Sequence, residues 1–473
     1  MINVNNKFKK LASNTIIFAI GSIGSKFITF LLVPIYTNTL TTAEYGTTEI
    51  VVTAINLLIP FLSLSIQDAV LRFGLAPDIE AKKVIKNAVF IVGIGSIISC
   101  CLTPVYGIYN AIGRWAGHFS ILIILNMFRT IFSLQAKAIE KNIVFTVDVL
   151  MYSLLTCGAS CLFLIVFKQG IAGYFNALII ANIVSIIFLG IACGIWKDII
   201  YTKLDMNLMR QMLTFSIPLI FNAVSWWVAN SSDRLMLNYF KGAGDVGLYS
   251  VAAKIPSIIT SITSIFNQAW MISSVTEYDS NNESTFFSKT FHGYNFVLIL
   301  CTAITIIIIK PFMHLYVGID FRSSWIYVPF LLVGAIFFSY ANFFGAIYMS
   351  AKRNISIMLT TLVAAIANVI LNYFMIPRWG IQGAVIATMI SYIIVGIYRL
   401  LGAQGIVRMN INLKKTFFAL ILLIIESIAT IGEGIFLIIS GICVVVIFIM
   451  YKGMVKDFVL VIKCKINKRK IEK

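Results

Sequence analysis

Apolar stretches of about 20 residues recur along the whole of this 473-residue chain. A helix needs about that length to cross the hydrocarbon core of a bilayer. Because lipid offers no hydrogen bonds, a spanning segment of this kind must bond its own backbone groups, as a helix does. The pattern predicts an all-α polytopic membrane protein with about 14 transmembrane helices, the last two of which could instead form a re-entrant hairpin. We place them near residues 11–36, 47–68, 84–107, 115–138, 143–167, 171–195, 212–239, 247–273, 290–312, 325–350, 355–376, 380–401, 414–432 and 434–453.

The composition excludes several other classes of protein. Only 12% of the residues are charged and 59% are hydrophobic, whereas a soluble protein has about 25% charged residues. The net charge of +18 is spread over short loops and no zinc or RNA-binding motif accompanies it, so we expect no nucleic acid partner. We find no Walker motif, dinucleotide-binding loop or HExxH motif. The three histidines are far apart, so we expect neither a metal site nor a bound cofactor.

The basic residues also predict the orientation of the chain. Cytoplasmic loops of membrane proteins collect Lys and Arg. Residues near a helix end are counted with the adjoining loop. With the amino terminus inside, 27 of the 37 Lys and Arg residues then fall in cytoplasmic segments, six in external loops and four within helices, away from their ends. A wrong helix count would mix these classes, so both termini are predicted to be cytoplasmic.

Residues 42–69 and 243–270 resemble each other at an offset of 201 positions. The matched pairs are Glu44 with Asp245, Gly46 with Gly247, and Gln67 with Gln268. Since six predicted helices separate the copies, both have the same orientation. This predicts two parallel six-helix lobes related by an axis along the membrane normal, with the substrate site at their interface. The predicted domains are residues 1–197 and 198–408 for the two lobes, 409–456 for two appended helices, and 457–473 for a basic cytoplasmic tail.

Four cations lie within the predicted helices, where a charge near the middle of the bilayer costs roughly 2.5–3.5 kcal/mol on insertion scales. Such groups usually face a bundle interior or a wet cavity. We therefore predict a cationic cavity, suited to an anion such as phosphate, formed by Lys26, Arg129, Arg234 and Lys254. Polar side chains on the same helices are predicted to support it: Ser22, Thr29, Asn126, Asn230 and Asp233.

Other interpretations of these residues stay open. Arg234 could pair with Asp233 or Asp245 as a structural clamp, while Lys254 and Arg129 could extend towards the headgroups. Two isolated acids, Asp148 and Glu426, are candidates for carrying a coupling ion.

The segments VPIYTNTLTTAEYGTTEI (33–50) and SIPLIFNAVSWWVANSSDRLMLNYFKGAGDVGLYSVAAKI (216–255) resemble bacterial polysaccharide flippases of the Wzx type. The stretch DAVLRFGLAPDIEAKK (68–83) is similar to the first cytoplasmic loop of that family. These flippases belong to the multidrug/oligosaccharidyl-lipid/polysaccharide exporter superfamily. The resemblance implies a V-shaped pair of lobes with a basic central cavity, working by alternating access in the bacterial plasma membrane.

The cargo that the resemblance implies is an undecaprenyl-diphosphate-linked oligosaccharide, carried from the inner to the outer leaflet among the bilayer lipids. A polysaccharide polymerase and a chain-length regulator are its candidate partners. No cofactor is expected, and a proton or sodium gradient is a candidate source of direction.

Two other functions compete with this one. A drug or cation antiporter of the same architecture should prefer buried carboxylates, whereas the deep charges here are mainly positive. A membrane polymerase or ligase should carry a large external loop, and every external loop predicted here is short.

Overall fold

The computed structural model describes residues 2–109, 112–278, 283–432 and 435–452, with the side chains of all of them except 2–20, 229, 354 and 435–437. Every regular element in these ranges is helical, so the all-α prediction is confirmed. The predicted tail, 457–473, lies outside them. The helices are α1 (Ile2–Thr39), α2 (Thr42–Leu62), α3 (Ile66–Gly74), α4 (Ala81–Cys101), α5 (Thr103–Tyr106), α6 (Ala116–Ala138), α7 (Asn142–Ser160), α8 (Gly170–Ala192), α9 (Ile195–Tyr201), α10 (Met206–Lys241), α11 (Ala243–Glu277), α12 (Glu283–Tyr316), α13 (Val328–Ser350), α14 (Asn354–Gln404), α15 (Leu413–Ile431) and α16 (Ile435–Met450).

Ten helices in the described part of the chain are long and apolar enough to cross a membrane. These ten do not include α15, which carries Lys414, Lys415 and Glu426, or α16, which has only 16 residues. They also leave out α1, whose first part lies outside the described side chains, and they count α14 once. The protein is therefore a multi-pass membrane protein, and the total of fourteen stays a prediction.

Local sequence signals set several helix ends. Thr41 caps α2 in a capping box, in which its hydroxyl accepts from the Glu44 amide while the Glu44 carboxylate accepts from the Thr41 amide at 2.9 Å. The Asp205 carboxylate accepts from the Leu208 amide and begins α10. Gly242, with φ of 92°, separates α10 from α11. A positive φ suits glycine because it has no Cβ.

The first of two compact units comprises Met1–Val251, Val317–Phe321 and Asn372–Ile381. Within it α7 packs against α1 and α8, α6 against α4 and α8, and α10 against α2 and α3. Contacts with α1 and α2 hold the short segment 317–321: the Gly318 amide donates to Thr37 Oγ1 at 3.0 Å, and the Phe321 ring meets the Tyr45 ring edge-on. Large aromatic side chains such as Phe119, Phe132 and Phe175 fill the core.

The second unit comprises Ala252–Tyr316, Arg322–Leu371 and Gln382–Lys473. Here α12 packs against α13, α15 and α16. Its core is also aromatic, since the Trp270 ring stacks on Phe343 with centroids 4.4 Å apart, and the Trp270 indole N–H donates to the Phe343 carbonyl oxygen at 3.0 Å. The lobe boundaries inferred from the sequence stay predictions.

Helix α14 is two helices joined at a kink. Gly380 has φ 54° and ψ −131° there, a conformation open to glycine and strained for other residues. The Asn368 amide donates to Thr388 Oγ1 at 3.3 Å, although 20 residues of straight helix would separate them by about 30 Å. The two halves therefore run antiparallel, in agreement with the separate predicted helices 355–376 and 380–401.

Helices α2 and α11 begin 201 residues apart, at Thr42 and Ala243, which is the offset of the sequence repeat. They cross at two glycines in the first unit. A Cβ added to Gly46 would lie 1.7 Å from the Ala243 carbonyl oxygen, and one added to Gly247 would lie 2.1 Å from the Thr42 carbonyl oxygen. We call these four residues the glycine crossing. Its contacts are reciprocal, because each copy of the repeat places its glycine against the same carbonyl of the other.

Candidate functional site

Arg129 is held by residues from two neighbouring spanning helices. Its Nη2 lies 3.2 Å from Asp148 Oδ2, and its Nε donates to Ser185 Oγ at 2.9 Å. The guanidinium carbon lies 3.6 Å above the centre of the Tyr152 ring, close enough for a cation–π contact. The Ser185 hydroxyl donates to the other carboxylate oxygen of Asp148. We call Arg129, Asp148, Tyr152 and Ser185 the Arg129 cluster.

In the Arg129 cluster the charge of Arg129 is paired with that of Asp148, and the cluster does not use all the N–H groups of Arg129. Asp148 is fully buried, whereas the Arg129 side chain is 20% exposed. An ion pair in an apolar setting is tolerable only when its remaining polar atoms are also bonded, which Ser185 provides. A guanidinium has five N–H donors, and the contacts above use two of them. The exposed edge of Arg129 can therefore still donate to an anion.

Arg234 in α10 lies against the starts of α2 and α11. Its Nε donates to Ser250 Oγ at 3.1 Å and lies 3.6 Å from Glu49 Oε2. The other Glu49 oxygen accepts from the Tyr45 hydroxyl at 2.8 Å. Glu49 and Ser250 are also 201 positions apart, so both copies of the repeat contact the same guanidinium. We call Tyr45, Glu49, Arg234 and Ser250 the Arg234 network.

The acid paired with Arg234 through Nε is Glu49, which the sequence interpretation did not select. Asp233, the next residue on α10, accepts from the Tyr249 hydroxyl at 2.7 Å and from the Asn372 amide. It is 3% exposed. Asn372 lies in the short stretch of α14 that belongs to the first unit.

Arg399 shows what a purely structural arginine looks like in the second unit. Four of its N–H groups have acceptors: Thr360 Oγ1, Thr361 Oγ1 and the carbonyl oxygens of Ala341 and Ile357, at 2.8–3.0 Å. The residue is 4% exposed. In the Arg234 network, by contrast, the contacts engage Nε alone, and the side chain is 18% exposed. The terminal nitrogens of Arg234 therefore present donors that Arg399 does not.

The other predicted cations are less enclosed. Lys26, Ser22 and Thr29 are all exposed on α1, and the Thr29 hydroxyl donates to the Ser25 carbonyl oxygen within that helix. Lys254 is half-buried on the part of α11 that belongs to the second unit. The shared binding role of the four cations stays a prediction.

The two predicted supporting amides bond within their own helices. The Asn126 amide donates to the Leu122 carbonyl oxygen, and the Asn230 amide donates to the Trp226 carbonyl oxygen, both at 2.7 Å. The Asn126 amide group also has a second N–H and a carbonyl oxygen with which it can meet a ligand.

The two candidate acids for ion coupling have different surroundings. Asp148 is matched by Arg129 and Ser185. Glu426 of α15 is fully buried, and neither of its carboxyl oxygens has a hydrogen-bond partner in the described ranges. A buried carboxyl group without a partner is costly, so this position calls for a bound proton or cation.

The sequence interpretation missed Glu49, Ser250, Tyr152 and Ser185 as partners of the two arginines. A signal existed for the first two, because the offset of 201 places them at the same position of the repeat. For Tyr152 and Ser185 there was none, since such residues are common in apolar helices and only the packing of α7 and α8 brings them to Arg129.

A family model described as polysaccharide biosynthesis protein matches residues 11–275, more than half of the chain. A protein of the Lsg locus of Haemophilus influenzae is 21% identical over 275 residues, which are 55% of this chain and 65% of that protein. The chain therefore matches just under two thirds of the length of this relative.

Solved structures of transporters share the fold. The lipid II flippase MurJ in an inward closed conformation superposes with a TM-score of 0.67 at 14% identity, covering 94% of this chain and all of MurJ. An inward-facing multidrug transporter of the MATE family superposes with a TM-score of 0.65 at 12% identity, covering 80% of this chain and 94% of that protein. A transporter of the MOP superfamily from Pyrococcus furiosus superposes with a TM-score of 0.59 at 12% identity, covering 83% of this chain and 95% of that protein. At these identities the likeness shows the fold alone.

Proposed function

The chain belongs to the polysaccharide biosynthesis protein family, and from that premise we propose that it is a flippase for a lipid-linked oligosaccharide. The cargo is an undecaprenyl-diphosphate-linked repeat unit, moved from the inner to the outer leaflet of the bacterial plasma membrane by alternating access. The charged, sugar-bearing head of such a lipid cannot cross hydrocarbon unaided. A protein that offers it polar partners lowers that barrier.

The observation that carries this proposal is the hydrogen bonding of the Arg234 guanidinium. Nε of its guanidinium is fixed by Glu49 and Ser250. The terminal nitrogens carry four further N–H groups, which the described side chains of the Arg234 network leave unused. Arginine binds phosphate oxygens through two parallel hydrogen bonds. A guanidinium that is oriented in advance, and still has unused donors, suits a diphosphate. We assign Arg129 the same role, with Lys26 and Lys254 as further contacts.

We also propose that Glu426, rather than Asp148, carries a coupling proton or sodium ion. Asp148 already has a cation partner in Arg129, whereas neither carboxyl oxygen of Glu426 has a hydrogen-bond partner in the described ranges. A Glu426→Gln variant should flip its cargo at a rate that no longer depends on an imposed ion gradient. A retained gradient dependence would remove Glu426 from the mechanism.

The cellular setting follows from the same proposal. Both termini face the cytoplasm, and the flipped repeat unit passes to a polysaccharide polymerase with its chain-length regulator. No step of the cycle requires a bound cofactor.

Flipping is best tested in proteoliposomes that contain a fluorescent undecaprenyl-diphosphate oligosaccharide. Dithionite reduces only fluorophores on the outer face, so the quenched fraction measures transbilayer movement. We expect Arg234→Ala to lower the flipping rate by roughly tenfold to a hundredfold, the effect of losing one charged hydrogen bond of about 1.5–3 kcal/mol. Arg234→Lys should retain part of the rate, since it keeps the charge and loses the fork geometry.

Arg114→Ala is the matched control, because Arg114 is exposed and precedes α6. It should flip at the wild-type rate. Equal activity of the Arg114 and Arg234 variants would contradict the role of Arg234. If the wild type does not flip the lipid but exchanges organic cations for protons, the protein is an antiporter instead, a function that the buried Glu426 would also suit.

A further inference from the structure

The second unit contains a polar cavity that the proposed transport route does not use. It has a volume of about 320 Å³ and lies where α12 and α15 begin and α16 ends. Its described lining residues are His292, Asn295, Asn410, Asn412, Lys415, Thr416 and Tyr451. We call it the α15 pocket.

Hydrogen bonds fix the walls of the α15 pocket. The Asn410 amide donates to Ser288 Oγ at 2.9 Å, and the His292 ring donates through Nε2 to the Asn410 carbonyl oxygen at 3.0 Å, since a carbonyl can only accept. The Asn412 side chain accepts from the Lys415 amide at 3.0 Å and caps α15. The chain between α14 and α15 is thus tied to α12.

Inside the pocket, two hydroxyl groups have hydrogens to donate. The Asn295 amide group donates to Thr416 Oγ1 at 3.2 Å and to the Tyr451 hydroxyl oxygen at 3.0 Å, while its own oxygen accepts from the Tyr340 hydroxyl. Each of the two hydroxyls therefore acts as an acceptor towards Asn295. In the described part of the chain neither has an acceptor for its own hydrogen, although Thr416 is 8% and Tyr451 2% exposed. Buried donors of this kind indicate a missing acceptor.

The charged groups around the α15 pocket also favour an anion. Lys415 Nζ lies 4.2 Å from the centre of the Tyr451 ring, so the ammonium group packs over the face of that ring. The amino end of α15 adds partial positive charge. None of the described lining residues is acidic. The site therefore combines a cation, oriented hydroxyl donors and amide groups around one partly open cavity.

We infer that the α15 pocket binds a phosphate group, held by Lys415 with the Thr416 and Tyr451 hydroxyls. The group belongs to an anionic lipid headgroup or to free phosphate. The apolar run of α15 begins directly after Lys415 and Thr416, an arrangement typical of residues at the level of lipid headgroups. This inference is independent of the proposed transport function.

Purified full-length protein tests the inference in two arms. Native mass spectrometry in detergent measures binding of dioleoylphosphatidylglycerol, and equilibrium dialysis measures binding of radiolabelled inorganic phosphate. We expect one of them to bind, and Lys415→Met to weaken that binding by about tenfold, as expected for a charged hydrogen bond. Thr416→Val, which keeps charge and shape, should weaken it by about threefold to tenfold.

Lys414→Met is the matched control, because Lys414 is the adjacent, exposed cation of α15 and does not line the pocket. It should change affinity by less than about twofold, the range of a surface charge. Phosphatidylglycerol binding that inorganic phosphate does not displace identifies a lipid site, and displacement identifies a free-phosphate site. The inference is wrong if the wild type binds neither probe, or if the Lys414 and Lys415 variants lose the same affinity.

Discussion

Arg399 and Arg234 are both arginines of apolar helices, and their hydrogen bonds distinguish the structural role of Arg399 from the binding role that we propose for Arg234. Arg399 uses four of its five donors on carbonyl and hydroxyl oxygens of its own unit. The contacts that described residues make with Arg234 engage Nε. A guanidinium bonded like that of Arg399 can offer a ligand at most one N–H group without breaking internal bonds.

The same substitution should therefore act differently at the two positions. A lysine ammonium has three donors, so Arg399→Lys leaves at least one of the four buried acceptors without a donor, and we expect a loss of about 1–3 kcal/mol in the free energy of unfolding. Arg234→Lys should change stability by less than about 1 kcal/mol and lower flipping instead. Thermal unfolding in detergent, set beside the dithionite assay, separates the two effects. Equal destabilisation by both variants would contradict the distinction.

The Asp148–Arg129 pair predicts a strong coupling between two residues. Asp148→Asn leaves the Arg129 charge buried without its partner, which typically costs about 3–5 kcal/mol. The double variant Asp148→Asn with Arg129→Met removes both charges and should recover most of that loss. Unfolding temperatures in detergent provide the measurement, and Asp320→Asn, at an exposed acid, is the control that should change little. If the double variant loses as much stability as Asp148→Asn and Arg129→Met lose together, the two residues do not interact.

The sequence was enough to select Arg129 and Arg234, but not to predict which side chains contact them. An ionised residue in an apolar helix is visible in the sequence because its burial is costly, so Arg129 and Arg234 could be selected. Which acid pairs with Arg234 depends on the packing of α10 against α2 and α11. That packing follows from side-chain fit between distant segments, which a single sequence does not reveal.

At the scale of helices, apolar length proved to be the reliable signal. The predicted helix 115–138 differs from Ala116–Ala138 by one residue. The short helices α3, α5 and α9 could not be predicted in this way, because none is long enough to produce an apolar run of membrane-spanning length. They lie in connections between the long helices, where local caps and turns decide the structure.

The glycine crossing makes a prediction at this scale. Replacing glycine by alanine within a helix normally gains up to about 1 kcal/mol. At Gly46 and Gly247, however, the new methyl group would overlap a backbone carbonyl oxygen, and overpacking costs about 1–3 kcal/mol. We therefore expect Gly46→Ala and Gly247→Ala each to lower the unfolding temperature.

Gly244→Ala is the matched control on α11, since its Cβ would come no nearer than 3.7 Å to Thr42 Oγ1. It should leave the unfolding temperature unchanged or raise it slightly. If all three variants behave alike, the close approach of the two helices is not what holds these segments together.

For the whole molecule, the distribution of basic residues predicts the topology. Alkaline phosphatase folds to its active form only outside the cytoplasm, so a fusion after Lys473 should be inactive, whereas a fusion after Lys168 should be active. A green fluorescent protein fused after Lys473 should fluoresce. Phosphatase activity at the carboxyl terminus would mean an odd number of membrane crossings or the opposite orientation.

The reciprocal contacts of the glycine crossing have a consequence for the origin of the chain. Gly46 meets the carbonyl of Ala243 while Gly247 meets the carbonyl of Thr42, which is the pattern of a surface patch that binds its own copy. Self-complementarity of this kind defines the interface of a twofold homodimer. A half-length precursor that carried one such helix start could associate with its twin through this patch, and tandem gene fusion would then make the partnership permanent.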